Sequence, residues 1–148
     1  MPNLPNSMHP DRKEWLRFTE DLVRNMKFSE LTIVAHSLSV ATALDLIVKK
    51  DKRLGCLVSI SGFGRDYRDN LNNYFMIERE IDFKKVKQLI GRVYVIYGDD
   101  DPYVPQDILK DLADELGVVP VIIANGGHLN TDSGYSEFPL LLKLLEEK

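Results

Sequence analysis

Four short apolar runs, Leu31-Thr32-Ile33-Val34-Ala35, Cys56 to Ile60, Val93 to Tyr97 and Val118 to Ile123, are each separated from the next by an amphipathic stretch. Strands rich in apolar and β-branched residues need cover on both faces, so strand and helix in alternation dictate an α/β fold: a mostly parallel sheet of about four strands between two helical layers. A single domain is expected, because 148 residues of which 44% are hydrophobic suffice for one core.

The helices follow from caps and apolar spacing. Asp11 is placed to cap a helix to about Lys27, with Trp15, Phe18, Leu22 and Met26 on its buried face. Leu38 to Val48 reads as a second helix, whose terminal Lys49-Lys50 suits the negative end of its dipole. Asp82 opens a third, to about Ile90, and Pro105-Gln106 a fourth, to Leu116, which Gly117 can end in the left-handed conformation. The last begins near Ser136 and carries Phe138, Leu141, Leu142 and Leu145, with Pro139 tolerated in its first turn. After the second strand, Ser61-Gly62-Phe63-Gly64 starts an irregular aromatic segment with Tyr67, Tyr74, Phe75 and Met76, suited to cover a pocket.

Charge and composition narrow the function. With 19 Lys plus Arg against 23 Asp plus Glu, the net charge of −4 lacks the positive footprint that nucleic acid or an anionic membrane surface needs. The apolar runs are too short to span a bilayer, and Met1-Pro2-Asn3-Leu4-Pro5-Asn6 does not read as a signal peptide, so a cytoplasmic location is expected. A single cysteine, Cys56, excludes an internal disulfide and reads as a buried strand residue. The three histidines are too scattered for a zinc site and no glycine-rich phosphate loop follows a strand, so no metal or cofactor is implied.

Chemistry concentrates where strands end. Ser37 follows the first strand with no spacer before the next helix, the run Asp99-Asp100-Asp101 follows the third, and His128 follows the fourth after Gly126-Gly127. In an open parallel sheet the carboxyl ends share one rim, where ligands bind. A serine hydroxyl becomes nucleophilic when an imidazole takes its proton, and the imidazole needs a carboxylate to fix its tautomer. Ser37, His128 and Asp101 are the candidates for those three parts, in the chain order Ser, Asp, His of an α/β-hydrolase. Taken singly, each has a plainer use: Ser37 as a helix cap, His128 in a turn, Asp101 as a loop acid. His36, beside Ser37, reads as a structural or pocket residue.

Three blocks, Thr32-Ile33-Val34-Ala35-His36-Ser37-Leu38-Ser39, Gly98-Asp99-Asp100-Asp101-Pro102-Tyr103-Val104-Pro105 and Gly126-Gly127-His128-Leu129-Asn130, resemble motifs of the small serine-hydrolase family of the α/β-hydrolase superfamily, the family that includes retinoblastoma-binding protein nine. The resemblance runs over nearly all of the chain, from Leu4-Pro5-Asn6 onward. It implies Ser37 as nucleophile, Asp101 as orienting carboxylate and His128 as base, in an esterase-like enzyme that needs no cofactor. The elbow pattern G-x-S-x-G stands here as Ala35-His36-Ser37-Leu38-Ser39.

In that family a strand, a glycine-rich loop, a helix and another strand precede the Pro/Asn segment, and the loop supplies one of two oxyanion-hole donors. The other is the N–H after the nucleophile, here that of Leu38. Without the loop, turnover is expected to fall about 10²- to 10³-fold. Without the strand, Leu31 to Ala35 is expected at an open sheet edge, through which the chain would self-associate. The leading expectation is hydrolysis of a small ester or amide, with His36, Tyr67, Tyr74 and Phe75 lining or covering the pocket. Two alternatives follow from the same residues: a hydrolase fold kept as an interaction module, and a magnesium-dependent phosphate site at Asp99 and Asp100.

Overall fold

The computed structural model describes residues 2–67 and 73–146; part of the aromatic segment, 68–72, lies outside the described residues. Helix α1 (Arg12–Leu22) leads through a short 3-10 turn (Phe28–Glu30) into β1 (Thr32–His36), followed by α2 (Ser39–Lys50) and β2 (Leu54–Ile60). A single turn α3 (Asn73–Met76), α4 (Phe83–Leu89), β3 (Ile90–Gly98), α5 (Gln106–Leu116), β4 (Val121–Ile123), a second 3-10 turn (Thr131–Ser133) and α6 (Pro139–Glu146) complete the elements of the described residues.

The four strands of the described residues are all parallel, in the order β1-β2-β3-β4. The fold is therefore the expected α/β sandwich of three layers. The register sets His36, Ile60, Ile96 and Val121 side by side, so the carboxyl ends of all strands reach one rim. One face of the sheet packs on α1, α2, α4 and α5 through Trp15, Leu44, Ile47, Leu57, Val86, Val95 and Leu109. The other, with Cys56, Val58, Ile60 and Ile96, is covered by Phe138, Leu141 and Leu144 around α6. Cys56 is 2% exposed and burial raises its thiol pKa, which makes it a packing residue. Among the described residues no helix is long and apolar enough to cross a membrane.

Local chemistry explains where the elements depart from the expected bounds. Asp11 does cap α1, accepting from Glu14 N–H at 2.7 Å. The helix stops at Leu22, short of Lys27: Val23 N–H still reaches the Thr19 carbonyl, but Arg24 N–H bonds to Asp21 and Met26 N–H to Val23 in i→i−3 turns that end the α-helical ladder. Leu22 and Met26 are consequently exposed, and Leu16 is buried in their stead. Strand β4 starts at Val121 because Val118 N–H bonds to the Ala113 carbonyl in the helix stop at Gly117, and Pro120 has no N–H to give a ladder. In the last helix Leu142 faces solvent, while Leu141 and Leu144 pack.

One buried ion cluster ties the first helix to the aromatic segment. Arg12, 1% exposed, donates from Nε and Nη2 to the two Asp45 carboxylate oxygens at 2.7 and 3.1 Å. Its Nη1 donates to the Phe75, Met76 and Arg79 carbonyls at 2.8–3.1 Å. Arg79, half exposed, adds a second cation to Asp45 at 2.8 Å. Removing one partner of a buried pair strands the other, whereas an exposed ion pair contributes little. Arg12→Leu is therefore expected to lower unfolding free energy by about 3–5 kcal/mol in urea titrations. Arg79→Leu should cost under about 1 kcal/mol; equal losses would contradict this division.

Candidate active site

The turn from β1 into α2 is made by an L-residue in a left-handed conformation: Ser37 has φ of 55°. Its N–H donates to the Ile60 carbonyl at 2.9 Å, so the last residue of β2 holds the turn against the neighbouring strand. Leu38 follows at the N-terminus of α2 with its side chain 8% exposed. Its backbone N–H makes no hydrogen bond among the described residues, and lies at the helix end where unpaired donors and the dipole favour a negative charge. The Ser37 hydroxyl likewise makes no hydrogen bond among the described residues.

At the end of β3 the three acids take three separate tasks. Asp99 Oδ1 accepts from Asn125 N–H at 2.8 Å and Asp100 Oδ1 from Gly127 N–H at 2.7 Å. Asp101 Oδ1 accepts from Tyr103 and Val104 N–H at 2.9 and 3.1 Å, while its Oδ2 lies 2.8 Å from His128 Nδ1. The pair weighed above as magnesium ligands thus serves to latch the β4 loop onto β3. Composition marks these acids as a cluster; only the fold reveals that each faces a different donor.

The loop after β4 is bent to fit. Asn125, Gly127 and Leu129 have φ of 51°, 55° and 50°. A Cβ at Gly98 would stand 2.3 Å from the Gly127 carbonyl oxygen, so glycine at the end of β3 permits the close approach. His128 is 7% exposed and sits between two rings edge-on to it, His36 at 4.7 Å and Tyr103 at 5.0 Å between centroids. The sequence-predicted trio of Ser37, Asp101 and His128 accordingly lies along one rim, Asp101 and His128 in direct contact.

The other expected residues separate. His36 uses its ring on the base loop, with Nε2 donating to the His128 carbonyl at 2.8 Å. Phe75 is 1% exposed and packs edge-on to Trp15, which makes it a core side chain with no face left for a substrate. Tyr74 is exposed and stacks on His9 at 5.1 Å, and Tyr67 is half-buried against Phe63 at 5.0 Å. Ser39, read from sequence only as a departure from glycine, bonds in both directions to the His36 backbone.

Electrostatics favour an ionised Asp101 and a neutral His36. Burial alone would raise the Asp101 pKa, but hydrogen bonds from His128, Tyr103 and Val104 hold it below its ordinary 3.8. His36 is lowered from 6.5 chiefly by burial, with the His128 carbonyl and Asp101 opposing and the His128 ring adding to it. Both shifts mean that the unfolded chain binds more protons as pH falls. The Asp101 contribution is present above its ordinary value and is lost on titration through its depressed one; the His36 contribution is lost below 6.5 until its lowered folded value is passed. Melting scans between about pH 8 and pH 5 should therefore show Tm declining below about 6.5, with a shallower decline in His36→Gln. Identical slopes in the two proteins would contradict a half-buried, neutral His36.

Known proteins share this arrangement of chain. The serine hydrolase family matches residues 3–147. The Bacillus subtilis hydrolase-type protein YdeN is 27% identical over 145 residues, covering 97% of this chain and 76% of its own length. The crystal structure of the ydeN gene product superposes with a TM-score of 0.88 at 26% identity, across 97% of this chain and 78% of that one. A carboxylesterase of the thaumarchaeon Nitrososphaera gargenis shares the fold, at a TM-score of 0.68 and 11% identity over 97% of this chain and 74% of its own. With the family's match running almost from end to end, the chain belongs to the serine hydrolase family, and its fold is that of an α/β-hydrolase.

Proposed function

We propose that this chain is a cofactor-independent serine hydrolase of carboxylesterase type, acting on a small ester or amide through Ser37, Asp101 and His128. The observation that carries the reading is the 2.8 Å contact between His128 Nδ1 and Asp101 Oδ2, on the same rim as a serine held in a left-handed turn. An ionised Asp101 accepts from Nδ1–H and so leaves His128 Nε2 with its lone pair, the form a general base needs.

In this mechanism His128 Nε2 takes the Ser37 proton as Oγ attacks the substrate carbonyl. Negative charge on the carbonyl oxygen meets the Leu38 N–H at the end of α2. His128 then gives its proton to the leaving alcohol or amine, and the acyl group stays on Ser37. Water deprotonated by the same Nε2 attacks the acyl-enzyme, and the acid departs as Ser37 regains its proton. Asp101 stabilises the imidazolium in both halves without taking the proton itself.

A second reading is favoured by one observation: β1 is the edge of the four-stranded sheet, and Val34 on it is 36% exposed. An exposed apolar edge pairs with another strand, and the edge of a second copy of this chain is the partner proposed.

Intact-mass analysis after treatment with a fluorophosphonate should show one adduct on the wild-type chain, in which the Ser37 oxygen bonds to phosphorus and fluoride leaves. Ser37→Ala should abolish it, and Asp101→Asn should slow it by about 10⁴-fold. A folded wild-type chain without adduct would overturn the triad. For the edge, sedimentation velocity should detect a concentration-dependent dimer that Val34→Lys dissolves; a strict monomer would overturn the pairing.

A further inference from the structure

Ser37 and His128 belong to opposite sides of the sheet. One follows β1, the other follows β4, and β2 and β3 lie between them. The ties that fix the base loop run mostly to β3: Asp99 to Asn125, Asp100 to Gly127 and Asp101 to His128. A further bond, His128 N–H to Ser133 Oγ at 3.2 Å, stays within the loop. None of these hydrogen bonds reaches β1, and a displacement of about 1 Å between reacting groups is enough to lower a rate about 10²-fold.

His36 closes that gap. It is the last residue of β1 and the immediate neighbour of Ser37, and its Nε2 lies 2.8 Å from the His128 carbonyl oxygen. A carbonyl only accepts, so Nε2 carries the hydrogen. The ring also meets the His128 ring edge-on, at 4.7 Å and 71°. Its own backbone is pinned in turn by Ser39, whose hydroxyl accepts from His36 N–H at 3.0 Å and donates to the His36 carbonyl at 2.8 Å. Ser39 stands where the elbow pattern has glycine, and a glycine there could make neither bond.

We propose that His36 is a positioning residue that straps the nucleophile turn to the base loop, and that the Ser39 hydroxyl is the anchor of the strap. The inference deepens the triad reading and rests on it for its kinetic consequence. His36 exchanges no proton and forms no bond in the reaction; it acts by holding the spacing between Ser37 Oγ and His128 Nε2. Its hydrogen bond is the link, among the described residues, that runs from the strand bearing the nucleophile to the backbone of the base.

The test compares the wild-type chain with His36→Phe, His36→Gln, Ser39→Ala and the double variant His36→Phe/Ser39→Ala. Phe keeps an aromatic edge against His128 and loses the donor, whereas the Gln amide restores a donor at a similar reach. Fluorophosphonate inactivation should show a maximal rate lowered about 10- to 100-fold in His36→Phe with the half-saturating probe concentration unchanged, and return to within about threefold of wild type in His36→Gln. Ser39→Ala should lose less, and should cause no additional loss on the His36→Phe background. Amide hydrogen exchange supplies a readout independent of reactivity: protection across 125–129 should fall in His36→Phe and recover in His36→Gln at equal Tm. Loop exchange unchanged in His36→Phe would overturn the strap, as would a His36→Gln as slow to label as the Phe variant. A wild-type chain that takes no probe while its loop exchange responds as described would refute the triad and leave the strap standing.

Discussion

The geometry of the rim depends on one backbone reversal, the left-handed turn at Ser37 that sends β1 straight into α2. An L-residue held there is strained by about 1–3 kcal/mol, and such a conformation persists only where the surroundings over-determine it. They do so here from both sides. The Ser37 N–H is held by the Ile60 carbonyl, and α2 is buried at every position from Val40 to Ile47. A helix so thoroughly enclosed has no freedom to relax the turn behind it, so packing free energy is converted into a fixed presentation of the serine.

Charge is handled in the same manner, by giving each buried ion a full set of partners. Arg12 satisfies Asp45 and three carbonyls at once, and Asp101 receives two backbone donors on one oxygen and a ring nitrogen on the other. A buried charge left half-paired destabilises more than the pair stabilises, which is why these clusters are dense. The aromatic segment owes its seat to the first of them. Its backbone carbonyls at Phe75, Met76 and Arg79 are gathered on a guanidinium that comes from the first helix, far away in sequence.

What the chain disclosed before folding follows from range. Strand identity is written in local apolar runs, and the placing of Ser37, Asp101 and His128 on one rim is legible because each follows such a run at the edge that parallel pairing makes common. The helix bounds were legible where a cap is local, as at Asp11 and Asp82, and not where the stop depends on a backbone turn such as that at Val23. Long-range partners left no trace. Arg12 carries no sign of its buried role until Asp45 is beside it, and Asp99 and Asp100 read as ligands until Asn125 and Gly127 arrive. Ser39 reads only as a departure at a glycine position, whereas its hydroxyl is a bridge between the strand end and the helix start.

The strand order β1-β2-β3-β4 has a bearing on how the molecule is made. Each strand pairs with the one synthesised just before it, so the sheet can lengthen in the direction of translation without waiting for a later segment to slot in. The helical face built by α2 and α5 closes along the way. The opposite face is different: Cys56, Val58 and Ile60 emerge well before their cover, Phe138, Leu141 and Leu144, which is made only after β3, α5 and β4. Between the making of β2 and that of α6 the nascent sheet therefore has one side being covered and one bare, sticky side, and α6 ends this vulnerable interval.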